Sequence, residues 1–211
     1  MTDFTAWTPQ DAASRIAVPG ERDDKYSRGV LGVVTGSAMY PGAAVLGVEA
    51  AAHTGVGMIR YLGGARELVL QRRPEAVTAD GRVQAWLLGS GMEAPDERSR
   101  AAVAQQVPVV LDGGALELHA AAAGPVVITP HHGELAALLG VPRAEVSADP
   151  AGFARRTADR LGITVLLKGH TTYAAGPGVS LSAASAPTWL ATAGAGDALA
   201  GILGALVATH S

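Results

Sequence analysis

The sequence predicts one α/β domain built on a mostly parallel central sheet with helices on both faces. Three observations predict it. Short apolar runs rich in β-branched residues alternate with helix-like segments along most of the chain. These runs are nearly continuous rather than alternating, as strands buried on both faces require. The chain is 211 residues long and 48% apolar, enough for one domain with a sizeable core. Aromatics make up only 4%, so that core must be Ala, Val, Leu and Ile packed around glycine.

The elements are these, in order. Residues 1–28 form a polar lead-in, and residues 29–211 form the domain proper. GVLGVVT (29–35) is a first strand that ends in a Gly-Ser turn. Pro41 suits a first helical turn, and the helix it opens runs to a stopping Gly55. VGMIRYL (56–62), AWLL (85–88), VPVVL (107–111), PVVIT (125–129) and ITVLL (163–167) are the later strands, with helix-like segments between several of them. The uncharged stretch 198–208 reads as a buried helix. The chain shows no internal repeat, low-complexity tract or linker.

Composition excludes several functions. The net charge is −3 with no basic block, which argues against nucleic acid as a partner. Without cysteine there is neither a disulfide nor a thiolate metal site, which suits a cytoplasmic protein. Residues 1–20 carry Asp3 and Asp11 and no apolar run, so no signal peptide is expected. The apolar stretch 187–210 would put Asp197 near the centre of a membrane span, at a cost of about 2.5–3.5 kcal/mol. A buried helix is the better reading, and no membrane partner is expected.

The residues that succeed each strand point to function. Gly36-Ser37, Gly89-Ser90-Gly91, Asp112-Gly113-Gly114, Pro130-His131-His132-Gly133-Glu134 and Lys168-Gly169-His170 all fall at strand ends. In an open parallel sheet these loops share the carboxyl edge, where ligands bind. Gly194, Ala195 and Gly196 lie at a helix start and can present successive backbone N–H groups as a nest for an anion. Asp197 behind them can act as a base, orient a water or meet a magnesium-bound phosphate. It can also simply cap its helix.

These blocks together resemble the ADP/ATP-dependent NAD(P)H-hydrate dehydratases, a branch of the ribokinase-like superfamily. The matching blocks run in order from about Lys25 to Ala208: the opening block with its Gly-Ser turn and Tyr-Pro-Gly-Ala, then RRPEAV, LLGSGM, VVLDGGAL, ITPHHGELAALLG, VLLKGHTT and ATAGAGDALAG. The resemblance implies a ribokinase-like fold and repair of hydrated NADH or NADPH. ADP would be the phosphoryl donor and Mg2+ a cofactor, with AMP and phosphate as products. It also implies a tetramer and, from the bacterial members, a preference for ADP over ATP. Ala43 and Gly91 would lie against the hydrated cofactor, with Gly89 beside Gly91, and His131 would contact the same substrate. Lys168, Gly169, His170, Thr171 and Thr172 would line the nucleotide together with Gly196. Asp197 would face the hydroxyl to be phosphorylated.

Each assignment has a plainer alternative. Ala43 and Gly91 suit simple packing, and Lys168 suits a solvated loop. His131 and His132, being adjacent, point apart and make a poor metal pair. Glu134 can serve only to charge the start of its helix. Asp112 can assist magnesium or cap a turn, and it stays unassigned; His53, His119 and His210 have no role. Glu93 and His132 stand where the family usually has glycine and proline. The family usually continues beyond the point matching Ser211 with helices that cover the nucleotide side, so a C-terminally shortened chain with weaker nucleotide retention is expected. The epimerase domain often fused ahead has no counterpart in these residues. Two competing readings remain: a small-molecule kinase of the same superfamily, and a non-catalytic nucleotide-binding remnant. ITPHHGE with Lys168-Gly169 favours the dehydratase over the kinase.

Overall fold

The computed structural model describes residues 3–211. Its elements in chain order are β1 (Thr5–Ala6), α1 (Pro9–Ala13), β2 (Val30–Val34), α2 (Pro41–Thr54), β3 (Met58–Tyr61), α3 (Arg66–Arg72), β4 (Ala85–Leu88) and α4 (Glu97–Val103). Next come β5 (Val109–Leu111), a 3-10 segment (Gly113–Ala121), β6 (Val126–Ile128), α5 (His132–Leu139), α6 (Arg143–Ala148) and α7 (Pro150–Leu161). β7 (Thr164–Leu167), β8 (Thr172–Gly176), β9 (Val179–Ala183), a 3-10 turn (Thr188–Leu190) and α8 (Ala195–Thr209) complete them.

The strands form a single sheet in the order β1-β9-β8-β7-β6-β5-β4-β2-β3. Only β8 runs against the others, pairing antiparallel with β7 on one side and β9 on the other. The mostly parallel sheet expected from the sequence is therefore present, with an antiparallel extension at one end. Several expected strands are one to three residues shorter, because their outer residues turn into the loops. The lead-in is tied to the sheet: Thr5 and Ala6 pair with Leu181 and Ser182 of β9.

Alternation along the strands divides the core into two layers. Val30 and Val34 of β2 join Trp86, Leu88, Val109 and Leu111 on the face covered by α4 to α7. Leu31 and Val33 join Leu87 and Val110 on the face covered by α2, α3 and α8. Both faces are buried, which is why the strands read as apolar runs.

α2 begins with Pro41 at its first turn and ends at Gly55, in the left-handed region with φ 99°. It packs closely on α8, because a Cβ on Gly201 would sit 2.1 Å from the carbonyl oxygen of Gly47. That backbone-to-backbone approach seats α8 against the sheet, with its first turn at the carboxyl edge. No described helix is long and apolar enough to cross a membrane.

Candidate functional site

The loops after β2, β4, β5, β6 and β7 meet at one edge, as the strand ends predict. Asp112, directly after β5, is the buried centre of the cluster at 5% exposure. Its Oδ2 accepts from Ser90 Oγ at 2.9 Å. Its Oδ1 accepts from Thr129 Oγ1 and from Lys168 Nζ, both at 2.7 Å. It makes no side-chain cap to the 3-10 segment behind it, so the capping alternative does not hold.

Lys168 is not a solvated loop lysine. Its N–H donates to the Pro130 carbonyl at 2.8 Å, and its side chain is only 18% exposed. Besides Asp112, the ammonium lies 3.9 Å from Glu134 Oε2. Breaking a buried pair by removing one partner costs about 3–5 kcal/mol, so neither charge is incidental. A Cβ on Gly196 would stand 3.4 Å from Lys168 Nζ, so the ammonium reaches the first turn of α8.

That turn is open. Gly194 takes φ 89° at the N-cap, and no side chain caps the helix. The N–H groups of Ala195 and Ala198 bond to the Thr192 and Gly194 carbonyls, leaving those of Gly196 and Asp197 for an incoming group. Of the Gly194–Gly196 turn, the Ala195 N–H is thus already taken, and the open amides beside the lysine are those of Gly196 and Asp197.

Asp197 sits at the third position of α8, not at its cap. Burial, then the nearby Asp112 carboxylate, push its carboxyl above the usual aspartate range, against the opposing pull of Lys168. Among the described residues no protein donor reaches it. A partly buried carboxylate without a protein donor, beside free amides and an ammonium, is chemically suited to take a proton from a bound hydroxyl.

His131 serves its helix. It is the N-cap of α5, and its Nδ1 accepts from the N–H groups of Gly133 and Glu134 at 3.0 and 3.1 Å. Glu134 accepts in return from the His131 N–H at 2.7 Å, completing a capping box. With Nδ1 so occupied, the Nε2 side of the exposed ring is what remains for a ligand. His132 Nδ1 lies 3.1 Å from Ser147 Oγ while its Nε2 side lies against Gly169, and burial, then Arg143 and His131, hold its pKa below the ordinary histidine value. The two histidines do not converge, and no group of three or more His, Asp or Glu side chains among the described residues forms a metal cage.

Ala43 and Gly91 are brought together where α2 starts. Gly91 takes φ 67°, and a Cβ there would lie 2.3 Å from the Ala43 Cβ. Ala43 is 7% exposed, so this contact is close packing as well as part of the edge. Gly169 and His170 are exposed and Thr171 half-buried in the turn after Lys168, while Thr172 already belongs to β8. A cavity of about 350 Å³ lies apart from this cluster, between the end of α2 and the start of β3.

Sequence reasoning misses the roles of Asp112, Ser90 and Thr129. The available signal is positional: each polar residue directly succeeds, or lies one residue past, an apolar strand.

A family profile described as NAD(P)H-hydrate dehydratase matches residues 31–211. The bifunctional NAD(P)H-hydrate repair enzyme Nnr of Mycobacterium tuberculosis is 44% identical over 99% of this chain, which covers 47% of that protein. The chain thus spans about half the length of that relative. The ADP-dependent (S)-NAD(P)H-hydrate dehydratase of Neisseria meningitidis is 34% identical, with 89% of this chain and 72% of that one covered. Among solved structures, the Bacillus subtilis ADP/ATP-dependent NAD(P)H-hydrate dehydratase co-crystallized with ATP/Mg2+ superposes with a TM-score of 0.85 at 24% identity. That likeness covers 100% of this chain and 87% of the other, and it shows the ribokinase-like fold.

Proposed function

The chain belongs to the NAD(P)H-hydrate dehydratase family, and from that we propose that it uses ADP to return hydrated NADH or NADPH to NAD(P)H, releasing AMP and phosphate. Residues 29–211 are the catalytic domain in this reading. The observation that carries it is the Asp197 carboxylate, unclaimed by any described protein donor, in the open first turn of α8 that Lys168 reaches.

The difficulty in the reaction is the leaving group. Hydroxide leaves a ring carbon poorly and phosphate leaves well. Asp197 takes the proton of the ring hydroxyl as its oxygen attacks the terminal phosphorus of ADP, and the bond to AMP breaks. The phosphate then departs with the C–O electrons, the neighbouring carbon loses a proton, and the ring double bond returns. Hydrated NAD(P)H and ADP become NAD(P)H, AMP, phosphate and a proton. Lys168 and the Gly196 and Asp197 amides hold the transferring phosphoryl group, since such transfer depends on positioning and charge stabilisation. Gly169, His170, Thr171 and Thr172 line the nucleotide, while Ala43, Gly91 and the outer edge of His131 face the hydrated cofactor.

Magnesium would be held here chiefly by the phosphates and water, as that ion usually is. When bound it would neutralise phosphate charge near Asp197. The reading extends to a cytoplasmic homotetramer that prefers ADP to ATP.

The test is incubation with hydrated NADH and ADP. Absorbance in the NADH band returns with one AMP and one phosphate per turnover, faster than with ATP. No return of NADH defeats the reading, and equal phosphate release from both donors removes the ADP preference.

A further inference from the structure

Asp112 has no part in the mechanism above, yet it is among the most constrained charges in the molecule. It is 5% exposed, with both oxygens committed to Ser90, Thr129 and Lys168 at 2.7 to 2.9 Å. The three donors come from the ends of three other strands, β4, β6 and β7. A structural ion pair does not need the lysine to continue onward, but this ammonium ends against the Gly196 position of the α8 turn.

We infer that Asp112 is a positioning residue: its carboxylate, clamped by Ser90 and Thr129, holds the Lys168 ammonium at the open first turn of α8, where the nucleotide phosphates arrive. The inference rests on the dehydratase reading for the identity of the nucleotide. Lysine is a flexible point charge on a four-carbon stem, so fixing it before the ligand binds removes an ordering cost from binding. Geometry that holds a charge in place matters steeply, since a misplacement of about 1 Å can cost roughly 100-fold in rate.

Three roles for Asp112 make opposite demands. If Asp112 positions Lys168, the contribution of that lysine to ADP affinity shrinks when Asp112 is replaced. If Asp112 only neutralises it, the contribution grows, because an unpaired ammonium attracts phosphate more strongly. If Asp112 only supports the fold, the contribution is unchanged.

The experiment is a double-mutant cycle read by calorimetric titration with ADP, using wild type, Lys168→Ala, Asp112→Asn and the double variant. Lys168→Ala weakens ADP by roughly 10- to 100-fold in the wild-type background. In the Asp112→Asn background the same change costs less than about threefold. An undiminished or larger cost there overturns the inference, as does a wild type that does not bind ADP. Should Asp112→Asn fail to fold, Ser90→Ala carries the comparison, because it loosens the clamp and keeps every charge. The Lys168 contribution then falls at least about threefold, and no fall overturns the inference. The readout needs no turnover: a coupled cycle in a protein that cannot restore NADH defeats the dehydratase reading alone.

Discussion

Replacing Gly91 by alanine tests the packed turn that brings the β4 loop onto α2. Two costs add. Alanine at φ 67° sits in the left-handed region, which costs about 1–2 kcal/mol. The new Cβ would lie 2.3 Å from the Ala43 Cβ, whereas carbon atoms in good contact stand about 3.5–4.0 Å apart. The turn must open by more than about 1 Å, and overpacking of this kind costs about 1–3 kcal/mol. Gly91→Ala should therefore destabilise by about 2–5 kcal/mol. In a domain of this size that lowers the melting temperature by roughly 4–20 °C, measured by circular dichroism. Adding Ala43→Gly removes the worst overlap but neither the backbone strain nor the 3.0 Å approach to the Tyr40 carbonyl oxygen, so only part of the loss returns. In the dehydration assay, the KM for hydrated NADH should rise more than the KM for ADP. A Gly91→Ala protein melting within about 2 °C of wild type would refute the geometry of this turn.

The same cluster yields two further expected outcomes. His131→Ala removes an N-cap acceptor and should cost about 0.5–2 kcal/mol in denaturant unfolding, whereas His131→Asn, a good cap, should keep the stability. Both should raise the KM for hydrated NADH, and a His131→Asn protein with unchanged KM makes the histidine a cap alone. Asp197 has a raised pKa in the folded state, from burial first and Asp112 second, so the folded protein binds its proton more tightly than the unfolded chain does. Its effect is favourable at acid pH, is lost as pH rises from the unfolded value through the folded one, and leaves an ionised carboxylate that opposes folding at neutral pH. Asp197→Asn should therefore melt higher than wild type at about pH 7, with the gap closing below the unfolded aspartate value. A lower melting temperature for Asp197→Asn at neutral pH contradicts that assignment.

The parallel strands are legible in the sequence because each is an apolar run buried on both faces and ended by a polar or glycine turn. β8 and β9 are not, since TYAAG and VSLSA are only partly buried and carry few large apolar residues. β1 is a two-residue pairing with no periodicity to read. Asp197, Lys168 and the Gly194–Gly196 turn can be found because each is a local motif. The role of Asp112 cannot, because its partners lie 22, 17 and 56 positions away and only the sheet order joins them. The capping box of His131 and Glu134 is local, yet a cap and a substrate contact leave the same trace in the sequence.

The central claim is that the free carboxylate at the start of α8 takes the proton of the substrate hydroxyl. Asparagine keeps the size of Asp197 and cannot accept that proton, and loss of a general base costs roughly 10²–10⁴-fold. The measurement is the rate of NADH recovery from hydrated NADH and ADP by wild type and Asp197→Asn, with ADP affinity and melting curves taken on the same samples. The account predicts an active wild type and a folded, ADP-binding variant slowed by about that factor. An active wild type matched in rate by Asp197→Asn would contradict it.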